Sequence, residues 1–196
     1  MQLLYSPTSP FARKVRVAMI ELGLEDRIQL AAVDPWTDET LRGQNPLSKV
    51  PTLVTGDGEI IFDSRVICEY LDEIAGGGRL FPATGPDRWR ALTAQALADG
   101  IGDAAVRVVA QEKRPAAEQH ADQIARQRAA ILAALDSLED DAFDGRFGIG
   151  QIAVAAQLGY LDFRKVLDWR ENRPILTEWY ERVRRRPSMK ASEPVE

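Results

Sequence analysis

The sequence predicts an α/β half followed by an all-α half. Three observations carry this. Short apolar runs alternate with helical periodicity up to about residue 76. A stretch rich in glycine and proline, Gly76 to Pro86, then interrupts the pattern. Beyond it the strand signals stop and Ala- and Leu-rich helical spacing continues to the end. The expected division is a first domain over residues 1–76, a linker over 77–86 and an all-helical bundle domain over 87–196.

Gln2–Tyr5 is a short apolar run that stops at Ser6-Pro7, and it reads as a strand. Ser9-Pro10 opens a helix, with Ser as N-cap and Pro at the first helical position. Phe11, Val15, Ala18, Met19 and Leu22 follow at helical spacing until Gly23. Ile28–Val33 reads as the second strand, and residues 34–48 as a polar connection broken by Pro35, Gly43 and Pro46. Thr52–Thr55 and Glu59–Phe62 flank the turn Gly56-Asp57-Gly58, a hairpin signature. Asp63-Ser64 opens a helix striped by Ile67, Leu71 and Ile74. The order is β-α-β, a connection, then β-β-α. Four helices are expected after the linker: Arg88–Glu112, Ala117–Glu139, Ile149–Asp168 and Ile175–Arg186.

Composition narrows the function. The 196 residues are 45% hydrophobic and 28% charged, an ordinary globular balance that excludes disordered and collagen-like chains. No run of about 18 apolar residues lacks a charge, so no membrane span is expected. There are 25 basic and 30 acidic residues, a net charge of −5, without the basic excess of a general nucleic-acid binder. Cys68 is the single cysteine, so no internal disulfide forms. The opening MQLLYS has no basic region or cleavage site, and a reducing cytoplasm is the expected location. One histidine and one cysteine argue against a zinc site, and no metal is expected.

Three short features occur in order. Tyr5-Ser6-Pro7-Thr8-Ser9-Pro10-Phe11-Ala12-Arg13-Lys14 joins strand to helix. Asn45-Pro46-Leu47-Ser48-Lys49-Val50-Pro51-Thr52 precedes the third strand, and Phe62-Asp63-Ser64-Arg65 precedes the next helix. At these separations, and followed by four helices, they resemble the glutathione S-transferase family, in its bacterial members with a serine in the first strand–helix turn. The resemblance covers the whole chain and implies a thioredoxin-like first domain. It further implies glutathione as co-substrate, a homodimer, a thioether-forming transfer to a small apolar electrophile, and a role in detoxification.

The residues suit that chemistry. A free thiol has a pKa of roughly 8.5, which helix N-termini and hydrogen bonds lower. A Ser9 hydroxyl at a helix start can donate to a sulfur anion beside free N–H groups and the positive dipole end. A shift of about two units needs only ~2.7 kcal/mol of preferential stabilisation. One hydrogen bond to a charged group, worth roughly 1.5–3 kcal/mol, plus the helix terminus is enough. Ser9 alone reads first as a plain cap, and Thr8, Ser6 and Tyr5 are rival hydroxyls; the resemblance favours Ser9.

Val50-Pro51 is expected to be cis in the implied fold, freeing the Val50 N–H and C=O for the cysteinyl backbone of glutathione. An ordinary proline at a strand start is the alternative. Asp63-Ser64 alone reads first as a helix cap; with the resemblance, the Ser64 hydroxyl and first-turn N–H groups suit the γ-glutamyl carboxylate, and Asp63 suits the neighbouring ammonium. Lys49 suits the glycyl carboxylate, and reads equally as a solvated lysine. Phe11, Trp36 and residues 99–106 are expected walls of the electrophile pocket. By the resemblance, Asp99 reaches the γ-glutamyl ammonium of the neighbouring subunit.

One departure is visible. Helix six of the family starts with a Ser/Thr-x-x-Asp box, whereas this chain has Gly148-Ile149-Gly150-Gln151. The loss is expected to cost about 1 kcal/mol, with Gln151 still able to reach back to an N–H. Cys68 reads as a small buried side chain, His120 as exposed, and Arg184-Arg185-Arg186 as a solvated helix end.

Overall fold

The computed structural model describes residues 1–139 and 145–195. Four short strands form one mixed sheet: β1 (Gln2–Tyr5), β2 (Gln29–Ala32), β3 (Thr52–Val54) and β4 (Ile60–Ile61), in the order β2-β1-β3-β4. β1 runs parallel to β2 and antiparallel to β3, and β3 is antiparallel to β4. Helices α1 (Pro10–Glu21), α2 (Glu39–Gln44) and α3 (Ser64–Ile74) complete this half. Helices α4 (Gly85–Glu112), α5 (Ala121–Glu139), α6 (Ile149–Arg164), α7 (Pro174–Val183) and α8 (Pro187–Ala191) form the helical half. This is the expected α/β sheet half followed by a helical bundle.

Several element limits differ from expectation. The 34–48 connection contains α2, which the sequence reading left out. Asp38 caps it, with Oδ1 accepting from Thr40 N at 2.9 Å and Leu41 N at 3.3 Å. Only Leu41 of this helix is buried, so it carries no apolar stripe to read. The third bundle helix ends at Arg164 rather than Asp168, because Lys165 turns left-handed at φ 51°. The expected Ile175–Arg186 helix stops at Val183, since Arg186 precedes Pro187 and is extended at ψ 144°. A new short helix, α8, follows. The helix expected from Ala117 begins at Ala121 after a 3₁₀ turn at Ala116–Glu118. Between them, the Gln119 side chain turns back and donates to Glu112 O (3.2 Å) and Arg114 O (2.9 Å), capping the end of α4.

The linker is held from both sides. Gly76, Gly77 and Gly78 all take positive φ, a path open to glycine at low cost. Buried Asp72 of α3 accepts the N–H of Arg79 (3.0 Å), Leu80 (2.7 Å) and Phe81 (3.3 Å). The Leu80 carbonyl in turn accepts Ile149 N–H at 3.1 Å, at the first turn of α6. A Cβ on Gly148 would lie 2.9 Å from that same oxygen. This explains the departure seen in the sequence. The expected loss of a cap is made good by a linker carbonyl, and no side-chain cap, Gln151 included, forms there.

α1 joins the halves. It packs against α3 and the sheet domain on one side and against α6 and α8 on the other. Buried Arg13 lies over Gly159 of α6, where a Cβ would stand 2.0 Å from its Nη1, and its Nη2 donates to Met189 O at 3.2 Å. At the other end of α1, Glu21 accepts from Arg186 Nε (2.9 Å) and Nη2 (2.7 Å) and from the Ser188 hydroxyl. Arg186 therefore belongs to the junction between the halves rather than to a solvated helix end. Among the described residues no helix is long and apolar enough to cross a membrane.

Candidate active site

The sheet register decides which residues meet. Leu4 pairs with Thr52 and Leu53 with Ile61. Continuing those ladders sets Pro51 level with Tyr5, and Asp63 level with Pro51. The turn after β1, the approach to β3 and the exit from β4 therefore share one edge of the sheet. Val33 N donates to Tyr5 O at 2.9 Å, so the loop carrying Trp36 leaves from the same edge.

At the first turn, Ser9 is the N-cap of α1 and its Oγ accepts Ala12 N–H at 3.2 Å. The oxygen is thus engaged while the hydroxyl hydrogen has no acceptor among the described residues. Phe11 N–H also has no partner there. The rival hydroxyls differ. Ser6 Oγ and Thr8 Oγ1 face each other at 3.4 Å, and the Tyr5 ring lies beneath the Arg16 guanidinium at 5.0 Å.

The second segment is a braced loop. Asn45 Nδ2 donates to Lys49 O and to Thr52 Oγ1, both at 3.0 Å, and Thr52 Oγ1 donates to Lys49 O at 2.9 Å. The Val50–Pro51 bond is cis. Val50 lies outside β3, and its N–H and C=O have no partner among the described residues. Lys49 is exposed.

At the third segment, Asp63 caps α3, its Oδ1 accepting Arg65 N–H at 2.9 Å. The Phe62–Asp63 bond is also cis. Ser64 is 3% exposed, and neither its hydroxyl nor its N–H has a partner among the described residues.

Asp99 is the centre of a buried ion node. It is 2% exposed on α4, with Lys14 Nζ at 2.8 and 2.9 Å from its two oxygens and Arg65 Nε at 2.7 Å from Oδ2. Both oxygens accept hydrogen bonds within its own chain. Arg65, which the sequence reading passed over, is the exposed end of this ion node. The carboxylate hydrogen bond, outweighing burial, raises its pKa further. Trp36 is 89% exposed and stands clear of the core, and Phe11 is half-buried. Cys68 is fully buried beside the node, and burial pushes its thiol up to about 12, which leaves it inert. Among the described residues no group of three or more His, Cys, Asp or Glu side chains is placed to hold a metal.

Family models for the glutathione S-transferase N-terminal domain and C-terminal domain match residues 8–74 and 121–182. The chain belongs to the glutathione S-transferase family. It is 37% identical to the uncharacterized GST-like protein YibF of Escherichia coli (strain K12), over 99% of this chain and 98% of that one. A glutathione transferase family member from Pseudomonas fluorescens Pf-5, solved with bound glutathione, superposes with a TM-score of 0.95 at 41% identity, covering 100% and 99% of the two chains. A glutathione S-transferase from Methylobacillus flagellatus KT with glutathione bound gives 0.92 at 36% identity, covering 99% of each. In glutathione S-transferase terms, the three segments above all lie in the N-terminal domain, and α4 brings the helical half against them.

Proposed function

We propose that this glutathione S-transferase binds glutathione at the sheet edge, ionises its thiol and transfers the sulfur to a small apolar electrophile. The observation that carries the reading is the unpaired backbone of Val50 level with the open first turn of α1. An extended cysteinyl unit paired with Val50 would lay its sulfur at that turn. The Ser9 hydroxyl hydrogen, free because the oxygen accepts from Ala12, then donates to the thiolate, and Phe11 N–H adds to the same field.

The γ-glutamyl carboxylate takes the Ser64 hydroxyl and N–H at the start of α3, with Arg65 beside it. Asp63 faces the ammonium, and Lys49 the glycyl carboxylate. The thiol proton passes to solvent. The thiolate then forms a carbon–sulfur bond as the electrophile loses its leaving group, or takes a proton on an activated alkene. Phe11 and the exposed face of α4 line the electrophile side, with Trp36 closing over it. The protein lowers the barrier by ionisation and alignment. A homodimer in the cytoplasm that clears electrophiles fits this reading.

Calorimetric titration with glutathione, followed by conjugation assays with a chlorinated nitrobenzene and reduction assays with a hydroperoxide, tests it. Binding with conjugation is the expected result. Binding with peroxide reduction alone moves the reaction to another glutathione-dependent class. Absence of binding overturns the reading.

A further inference from the structure

We infer that buried Lys14 is a positioning residue for carboxylate recognition at the start of α3, acting through Asp99 on Arg65. The inference rests on the glutathione reading above and deepens it.

Lys14 is fully buried on α1, five positions beyond the Ser9 cap. A buried lysine needs an anion, and Asp99 of α4 supplies one with both oxygens. That occupation has a consequence for Arg65. A carboxylate left to itself grips a guanidinium with both oxygens across a two-nitrogen fork. Here Lys14 already takes both oxygens. Asp99 holds Arg65 by Nε alone, at 2.7 Å on Oδ2. The two Nη groups of Arg65 have no partner among the described residues, and its side chain is 49% exposed. Ser64, with its own unpaired hydroxyl and N–H, is the adjacent residue. The guanidinium is anchored at its inner nitrogen, with its outer nitrogens left for a ligand.

Charge counting points the same way. Counted as a trio, Lys14 and Arg65 against Asp99 carry one net positive charge, which partly offsets the Asp63 and Asp103 carboxylates that also act on Arg65. Without Lys14 the node is neutral, and Asp99 is free to close on the Arg65 fork. A ligand carboxylate then meets a weaker field and a competing anion.

The test compares two ligands on the full-length protein: glutathione, and its γ-aminobutyryl-Cys-Gly analogue, which lacks only the γ-glutamyl α-carboxylate. Lys14→Met is expected to weaken glutathione about tenfold, the scale of one lost charge-assisted contact, while changing the analogue by less than about twofold. Equal weakening of both ligands means a merely structural role and overturns the inference, as does unchanged affinity for glutathione. Removing one member of a buried pair can unfold a protein. If Lys14→Met does not fold, the same titrations are read on Lys14→Met combined with Asp99→Asn, which leaves no orphan charge. There Arg65 keeps its charge and meets no competing carboxylate, so discrimination between the two ligands is expected to stay within about threefold of wild type, and a selective loss of about tenfold overturns the inference. The wild-type titration comes first: if neither ligand binds, the glutathione reading itself fails, and this inference with it.

Discussion

Ser9 does two things with one hydroxyl. Its oxygen caps α1 at 3.2 Å from Ala12 N, and in the proposed function its hydrogen serves the glutathione sulfur. Ser9→Ala therefore removes both. The cap loss is expected to cost about 1 kcal/mol of stability. Separately, the pKa of bound glutathione thiol, followed by thiolate absorbance, is expected to rise by about one unit or more, with conjugation at neutral pH falling about tenfold or more. A thiol pKa that does not move would hand the role to another group. Glu21 gives a pH test. Burial raises its pKa, but the hydrogen bonds from Arg186 and Ser188 and the charges of Arg186 and Arg79 outweigh this and lower it. A lowered carboxyl stabilises the fold above the ordinary glutamate pKa, about 4.3, because the unfolded chain binds the proton more readily. That contribution fades as pH falls through the folded value. Glu21→Gln is thus expected to lower Tm at neutral pH, with the gap to wild type closing below about pH 4. Ser9, Lys49 to Pro51 and Asp63-Ser64 were legible in the sequence because each lies within one short stretch. The Lys14–Asp99–Arg65 node was not, since its members stand 85 and 34 positions apart. The periodicity of α1 and α4 gives no sign that two charged side chains face inward together.

Element types were read from strong local signals. α1 shows its cap, its proline and an apolar stripe, and the hairpin shows Gly56-Asp57-Gly58 between apolar runs. What escaped was short or broken. α2 buries one residue, and α8 is a five-residue helix opened by Pro187, just beyond the expected helix end at Arg186. The Leu80 contact with α6 also escaped, because a backbone carbonyl has no residue code. This linker can be tested directly. Asp72 offers two oxygens to three N–H groups. Asp72→Asn keeps the shape but gives up one acceptor and the charge. It is expected to cost about 2 kcal/mol in urea unfolding. A loss within the error of the wild-type midpoint would mean that the linker is held by other contacts.

At the scale of the molecule, the two halves share α1 and do not meet as loose neighbours. Arg13 can cross to Met189 only because Gly159 presents no side chain, with the Tyr180 hydroxyl 2.8 Å from where a Cβ would be. Gly159→Ala is expected to destabilise by about 2–3 kcal/mol through overpacking. Calorimetry should show one transition for wild type, displaced as a whole in the variant. Two separated transitions in wild type would refute the shared-core account. The glycine at the head of α6 bears on how such a protein could be recombined. Its partner is an oxygen belonging to residue 80, outside any fragment that starts at α4. A chimaera joined at residue 85 would take that oxygen from the other parent's linker, which would have to follow the same path to receive Ile149 N–H. A splice that carries residues 76–84 along with the bundle would keep this contact as it stands in this chain.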